Sequence, residues 1–186
     1  MVFAEARLKD GTRALIWELL PSDREAVREG FETLSEETRF HRFLAAVPHL
    51  TDTMLDHLVD QVDGVDHVAL ALVVVDDDGK GVPAGVARMI RYSDRRDAAD
   101  VAVTVLDEWQ RKGVATVLLD ELMRRRPAGV TRLVTTVTAD NAGSLAMLRR
   151  LGPTVAEPAG PNRLDVEVEL PAPDRETSTT AQDEIL

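Results

Sequence analysis

The sequence predicts a single α/β (α+β) domain, on two observations. Apolar residues fall into short β-branched runs, such as His67 to Val75 and Asp100 to Leu106, bounded by Gly, Pro and Asp turn residues. From residue 113 onward, helix-period and strand-like segments alternate. A length of 186 residues suits one domain and allows a substantial core without cross-links.

Strand-like segments near 3–8 and 12–19 flank the Asp10-Gly11 turn and read as a hairpin. Ser22-Asp-Arg-Glu25 has capping-box spacing, and Ala26, Val27, Phe31 and Leu34 follow on one helical face. Ser35 and Thr51 are expected to cap two further short helices over 36–45 and 52–60, which would bury Phe40, Phe43, Met54, Leu55 and Leu58. His67 to Val75 is apolar at nearly every position, as in a strand covered on both faces. Asp76-Asp-Asp-Gly79 is its turn, and Pro83 to Tyr92 returns as a second strand. After a polar loop, Asp100 to Leu106 is the third. A helix over 113–125, a strand over 130–138, a helix over 142–151 and a strand over 163–170 follow. Pro127 ends the first of these helices, and Gly152-Pro153 ends the second. Residues 1–170 are thus expected to form the domain. Residues 171–186, rich in Pro, Ser, Thr and acids, are expected to be a disordered acidic tail.

The strand–turn–helix junction carries the chemistry. Gln110-Arg111-Lys112-Gly113-Val114-Ala115-Thr116 opens a helix directly after a strand. A helix N-terminus offers unpaired N–H groups and the positive end of the macrodipole, which suits a phosphate. Gly113 permits close backbone approach, Ala115 leaves space, and Arg111 and Lys112 add charge. A di- or polyphosphate is the expected ligand. A glycine between strand and helix is also common in α/β proteins that bind no phosphate. Neither a three-glycine dinucleotide fingerprint nor a Gly-Lys-Ser/Thr loop ending is present.

Composition narrows the class further. The chain has no cysteine, which excludes disulfides, a thiolate nucleophile and a thiolate metal site. Four scattered histidines give no reason to expect a metal. No segment has signal-peptide or membrane-spanning character, so no membrane association and a cytoplasmic location are expected. A net charge of −11 argues against nucleic acid as a partner. Between Trp109 and Gly152, however, eight basic residues face three acids, a surplus of five that leaves −16 on the remainder. That division suits a polyanionic ligand in one half and a cationic amine in the other. Arg124, Arg125 and Arg126 equally suit a helix C-terminus, where positive charge is favourable.

A second half completes the pattern. Val130 to Thr138 leads into Asp140-Asn141-Ala-Gly-Ser144, and the helical Leu145 to Leu151 ends at Gly152. Together the two halves resemble the acetyl-coenzyme A binding core of the GNAT superfamily of N-acyltransferases. Upstream, Asp10 to Ile16, Gly30 to Leu44 and Val65 to Leu70 resemble the catalytic domain of bacterial protein lysine acetyltransferases of the Pat type. The resemblance implies a central mixed, mostly antiparallel twisted sheet flanked by helices. It implies that Gln110 to Thr116 hold the pyrophosphate of acetyl-coenzyme A. Backbone groups of Val103, Thr104 and Val105 would pair with the pantetheine arm, and Asn141 and Ser144 would contact it. No metal is implied.

The same resemblance places a base at Asp100, where many family members carry the longer Glu, so that a bound water would relay the proton. Asp107 and Glu108 are poorer candidates, because carboxylates beside a pyrophosphate oppose it. His67, at the start of a buried strand, reads as a core histidine. The Tyr acid of many members falls at Leu148, which cannot donate a proton; Pat-type domains also tend to lack it. The implied activity is direct acetyl transfer to a primary amine in a ternary complex, with a protein lysine as the favoured acceptor. The alternatives are a small-molecule amine acetyltransferase and a non-catalytic acyl-coenzyme A sensor or partner module.

Overall fold

A computed structural model describes residues 2–76 and 78–172. The chain opens with β1 (Val2–Arg7) and β2 (Arg13–Glu18), the expected hairpin about Asp10-Gly11. A single 3-10 turn, Pro21–Asp23, precedes α1 (Arg24–Glu32). The cap here differs from the Ser22–Glu25 expectation: the Asp23 carboxylate accepts the Leu20 N–H at 2.9 Å. Pro21 starts the turn one residue earlier because its fixed φ suits a first helical position. Ser35 and Thr51 cap α2 (Glu36–Phe43) and α3 (Asp52–Leu55) by accepting the N–H groups of Thr38 and Met54. A wide π turn, Asp56–Asp60, continues α3.

Next come β3 (His67–Val75), β4 (Gly81–Arg91), β5 (Ala98–Val105), α4 (Val114–Arg124), β6 (Arg132–Thr138) and α5 (Ala142–Leu151). The chain then forms β7 (Thr154–Pro158) and β8 (Arg163–Glu169). Strand β7 lies in a segment whose sequence reads as loop. It is five residues long, mostly exposed, and pairs only at the sheet edge, so it lacks the apolar alternation that reveals a strand. Residues 173–186, most of the expected tail, lie outside the described residues.

All eight strands form one sheet in the order β1-β2-β3-β4-β5-β6-β8-β7. Every neighbour is antiparallel except β5 and β6, which are parallel. Helix α4 supplies the crossover that a parallel pair requires. It buries Leu118, Leu119 and Leu122 in the same core as Ile16, Leu70, Leu72 and Met89 on the sheet. Gly85 permits that approach, since a Cβ there would crowd Thr104 O, Val114 and Leu118. A separate cluster of Phe31, Leu34, Leu50 and Leu55 joins α1, α2 and α3. Phe40, expected in that core, is 42% exposed instead. Helix α2 is short, and its buried stripe passes through Phe43, which packs edge-on against Phe31.

The parallel junction in this sheet shapes the site. Strands β5 and β6 pair only at Ala98–Arg132 and Ala99–Leu133, and then splay into a V. Arg132 ties the closed end by an ion pair to Asp97 at 2.9 Å. Where the ladder stops, side-chain hydroxyls take over. Tyr92 Oη donates to Val134 O at 3.0 Å, and Thr135 Oγ1 donates to Val101 O at 3.4 Å. These bonds satisfy two carbonyls that the splaying would leave unpaired.

Candidate active site

The V opens along β5, and pairing parity decides which backbone groups face it. Leu106 N–H donates to Ala84 O, and Tyr92 N–H to Ala98 O. In the unbroken β4–β5 register, residues 100, 102 and 104 therefore direct their backbone groups to β4, while Val101, Val103 and Val105 direct theirs into the V. Val101 O accepts from Thr135 and Val105 O from Gln110. The N–H and C=O of Val103 face the opening. This differs from the sequence expectation at Thr104, whose backbone pairs with Val86.

At the wide end of the V the chain makes a 3-10 turn, Asp107–Trp109, and enters α4 through Arg111 (φ +63°) and Gly113 (φ +98°). Both are left-handed, a conformation that Gly adopts without cost. The first intrahelical bond runs from Val117 N–H to Gly113 O at 3.0 Å, so the N–H groups of Val114, Ala115 and Thr116 leave the helix end unpaired by helix geometry. A Cβ at Gly113 would meet Lys9 Cγ at 3.1 Å, and Lys9 N–H donates to Lys112 O. The β1–β2 loop thus buttresses the turn.

A groove of about 490 Å³ runs over this turn. Of the residues proposed from sequence, Val103, Thr104, Val105, Gln110, Arg111, Gly113, Val114, Ala115, Thr116, Asn141 and Ser144 line it together. Lys112 instead stands with its ammonium 4.4 Å from the centroid of the Trp109 ring. Lys9 lines the groove and adds a cation that sequence reading missed, since only the folded hairpin brings residue 9 to residue 113. Asn141 caps α5 by accepting Ser144 N–H at Oδ1, which leaves its amide Nδ2 as a donor. Arg124 and Arg125 both pair with the buried Glu121 at 2.6 Å, and Arg126 donates to Pro171 O. These three contacts fit the helix-end reading of the arginine run.

Two polar side chains support the groove rather than face it with spare hydrogen-bonding capacity. Gln110 donates to Thr38 Oγ1 and Asp107 Oδ1, each at 3.1 Å. The Asp107 carboxylate also accepts Ser35 N–H at 2.8 Å, Ser35 Oγ at 2.9 Å and Thr38 Oγ1 at 2.8 Å. Asp107 therefore hooks the start of α2 to the turn, and these donors offset the charge that would oppose a pyrophosphate.

A second cavity of about 360 Å³ continues from the groove toward the closed end of the V, sharing His41, Arg42, Val103, Ser144 and Met147 with it. Asp100 lies here with Tyr92, Thr135 and Leu148. Burial pushes the Asp100 carboxyl up from the ordinary aspartate range, against the opposing pull of the Thr135 hydroxyl, Arg42 and the Val101 backbone. Leu148 is 5% exposed and makes this part of the wall apolar, one turn beyond Ser144. Tyr92 directly follows the neighbouring strand β4. The register brings it to the same face, because Tyr92 pairs with Ala98 and Ile90 with Asp100.

His67 is buried, and desolvation together with Arg88 lowers its pKa to about 4, so it is neutral near pH 7. It lies outside this cleft and beside Arg88 Nη1, at 3.4 Å from Nε2. Among the described residues there is no cluster of three or more His, Asp or Glu that could hold a metal ion, and no helix long and apolar enough to cross a membrane.

Comparison with known proteins agrees with this geometry. The model of the acetyltransferase (GNAT) family matches residues 31–152. The chain is 31% identical over 152 residues to the acetyltransferase Pat of Mycolicibacterium smegmatis, a match covering 81% of this chain and 44% of that protein. It therefore spans less than half of that relative's length. The GNAT domain of S. lividans PAT superposes with a TM-score of 0.76 at 25% identity, covering 90% of this chain and 96% of that domain. A Salmonella typhimurium protein, described as a putative acetyltransferase with its cofactor acetyl-CoA, shares the fold at a TM-score of 0.63 and 20% identity, over 87% of this chain and 98% of that one. With the family match spanning most of the chain and the splayed strands leading into a glycine-opened helix, the chain belongs to the GNAT family of acetyltransferases.

Proposed function

We propose that the protein is an acetyl-coenzyme A-dependent N-acetyltransferase acting on a primary amine, with a protein lysine as the favoured acceptor. One observation carries the reading. The open edge of β5 runs directly into an anion-suited helix N-terminus, and a half-buried carboxylate, Asp100, stands at the other end of the same continuous cleft. That layout spans a pyrophosphate, an extended amide-bearing arm and a reacting thioester in one line. Pat-type similarity and the acidic remainder of the chain favour lysine among amines.

The chemistry asks little of the side chains. The acceptor nitrogen must be neutral and attack the thioester carbonyl carbon, forming C–N as C–S breaks. Asp100 takes the amine proton, through a water because its side chain is short. An N–H of β5 on the open side, that of Val103, is placed to polarise the carbonyl oxygen. The sulfur leaves as thiolate near Ser144, which lies on α5 and lines both parts of the cleft. Leu148 supplies no proton, and a thiolate needs none to depart because thiols ionise near neutrality. The turn residues Arg111 and Gly113 to Thr116 hold the diphosphate, with Lys9 adding charge.

A non-catalytic acyl-coenzyme A sensor is the second reading, favoured specifically by Leu148 and the short Asp100. Thiol release measured with acetyl-coenzyme A against a panel of small amines and a lysine-rich protein decides between them. Transfer to protein lysine at rates above those for small amines is the expected result. Release with small amines alone selects the small-molecule enzyme, and binding without release selects the sensor.

A further inference from the structure

Beneath α1, α2 and α3, on the sheet face opposite α4, lies a third cavity of about 140 Å³. Its walls are apolar, with Trp17, Phe31, Leu34, Leu50 and Leu58 among them. Two guanidinium side chains, Arg42 and Arg88, also line it.

Arg88 is the anomaly. It is 6% exposed and pairs across the β4–β5 ladder with Ala102, on the same face as Asp100. Its contacts are a donated hydrogen bond to Leu58 O at 2.7 Å and the neutral His67 ring at 3.4 Å. A buried cation is ordinarily paired with a carboxylate, because leaving it unpaired is costly. Among the described residues no carboxylate lies within ion-pair distance of Arg88 or Arg42. The charge that Arg88 feels is the like charge of Arg42, which adds to burial in lowering it to about 9. Asp100 attracts Arg42 from the neighbouring cleft. Asp23, also on the chamber wall, has its carboxylate on Leu20 N–H. Neither guanidinium is in ion-pair contact, although Asp23 on the wall and Asp100 in the adjoining cleft carry negative charge, so both forks keep donors free for an anion.

We propose that the chamber binds a short apolar carboxylate, its head held by Arg42 and Arg88 and its chain among Trp17, Phe31 and Leu34. A planar carboxylate matches the guanidinium fork, and a monoanion pairs with the two guanidiniums at less desolvation cost than a phosphate dianion. The apolar walls leave the rest of the ligand no polar partners to satisfy. Arg42 lines this chamber and both parts of the cleft, so an occupant touches the wall of the reaction site without entering the diphosphate groove.

Calorimetric titration of the whole protein with hexanoate, hexanol and hexylamine tests the site without relying on acetyl transfer. Hexanoate is expected to bind, and the alcohol and amine to bind at least about tenfold more weakly. Arg88→Met and, separately, Arg42→Met should each weaken hexanoate by roughly ten- to a hundredfold, the range of one charge-assisted hydrogen bond. Unchanged circular dichroism identifies variants that remain folded. Saturating coenzyme A should leave hexanoate binding in place. Equal binding of hexanoate and hexanol, indifference of both arginine variants, or full displacement by coenzyme A would overturn the proposal. None of those outcomes bears on whether the protein acetylates amines.

Discussion

Asp100, the proposed base, sits in an environment that opposes its own charge. Burial raises its pKa, and Arg42 and the Thr135 hydroxyl pull it back. A base acts when deprotonated, so kcat should rise with pH through this raised pKa and then level. Removing the Arg42 charge removes a stabiliser of the carboxylate, so Arg42→Met should move the acid limb to higher pH. Asp100→Asn should lower kcat by about 10²–10⁴-fold with little change in acetyl-coenzyme A affinity. Equal rates for parent and Asp100→Asn across the pH profile would remove Asp100 from the chemistry. Gly113→Glu tests the turn in a different observable. It places an anion and a strained side chain where φ is +98° and Lys9 is 3.1 Å away. Acetyl-coenzyme A at about a hundredfold above its dissociation constant should stabilise the parent by roughly 2.7 kcal/mol in thermal melts, and this variant not at all. Gly113, Asp100 and Leu148 were legible because each occupies a fixed spacing within a local motif. Arg88, Tyr92 and Lys9 were not, because their neighbours are set by strand register and loop packing rather than by sequence distance.

At the scale of elements, the sheet order turns on the contrast between β5 and its two neighbours. With β4 it forms a continuous ladder of seven register pairs, and with β6 only two. Apolar, β-branched runs bounded by turn residues announced every central strand. The splaying was not readable, since it rests on Arg132–Asp97 at one end and on the Tyr92 and Thr135 hydroxyls beyond it. Tyr92→Phe deletes one of these bridges and leaves Val134 O unpaired. It should cost about 1 kcal/mol in denaturant unfolding while keeping kcat within a few-fold. A collapse of kcat with unchanged stability would assign the phenol to the chemistry instead. Helix α2 is tied to the turn before α4 by Asp107, which accepts from Ser35, Thr38 and Gln110. Asp107→Ala removes this hook, so KM for acetyl-coenzyme A should rise more than kcat falls, with about 1–2 kcal/mol lost from the fold. If KM stayed unchanged, α2 would not position the groove. The misplaced Phe40 shows the limit of periodicity in a helix of eight residues, where two turns do not define a stripe.

Across the whole molecule, charge is unevenly distributed. The segment from Trp109 to Gly152 is positive by five, and the rest of the chain carries −16. Within the positive segment, Glu121 and Asp120 take up Arg124, Arg125 and Arg150 by ion pairs. The arginine cations around the groove are therefore Arg42 and Arg111, joined by Lys9, rather than the Arg124–Arg126 run, so the sequence-level sum overstates the local field there. The acidic remainder acts at longer range. A field of that sign raises the encounter rate of a lysine-bearing acceptor and repels an anionic one. Screening sets in over about 8–10 Å at physiological salt, so the benefit should fade as salt rises. With acetyl-coenzyme A kept saturating at each salt concentration, kcat/KM for a lysine-rich protein should fall between low and moderate salt, mainly through KM. A neutral amine such as hydroxylamine should show little change over the same range and serves as the internal control. Salt-independent kcat/KM for the protein acceptor, together with faster transfer to a neutral or anionic amine, would reject protein lysine and leave a small-metabolite acetyltransferase as the better account of this chain.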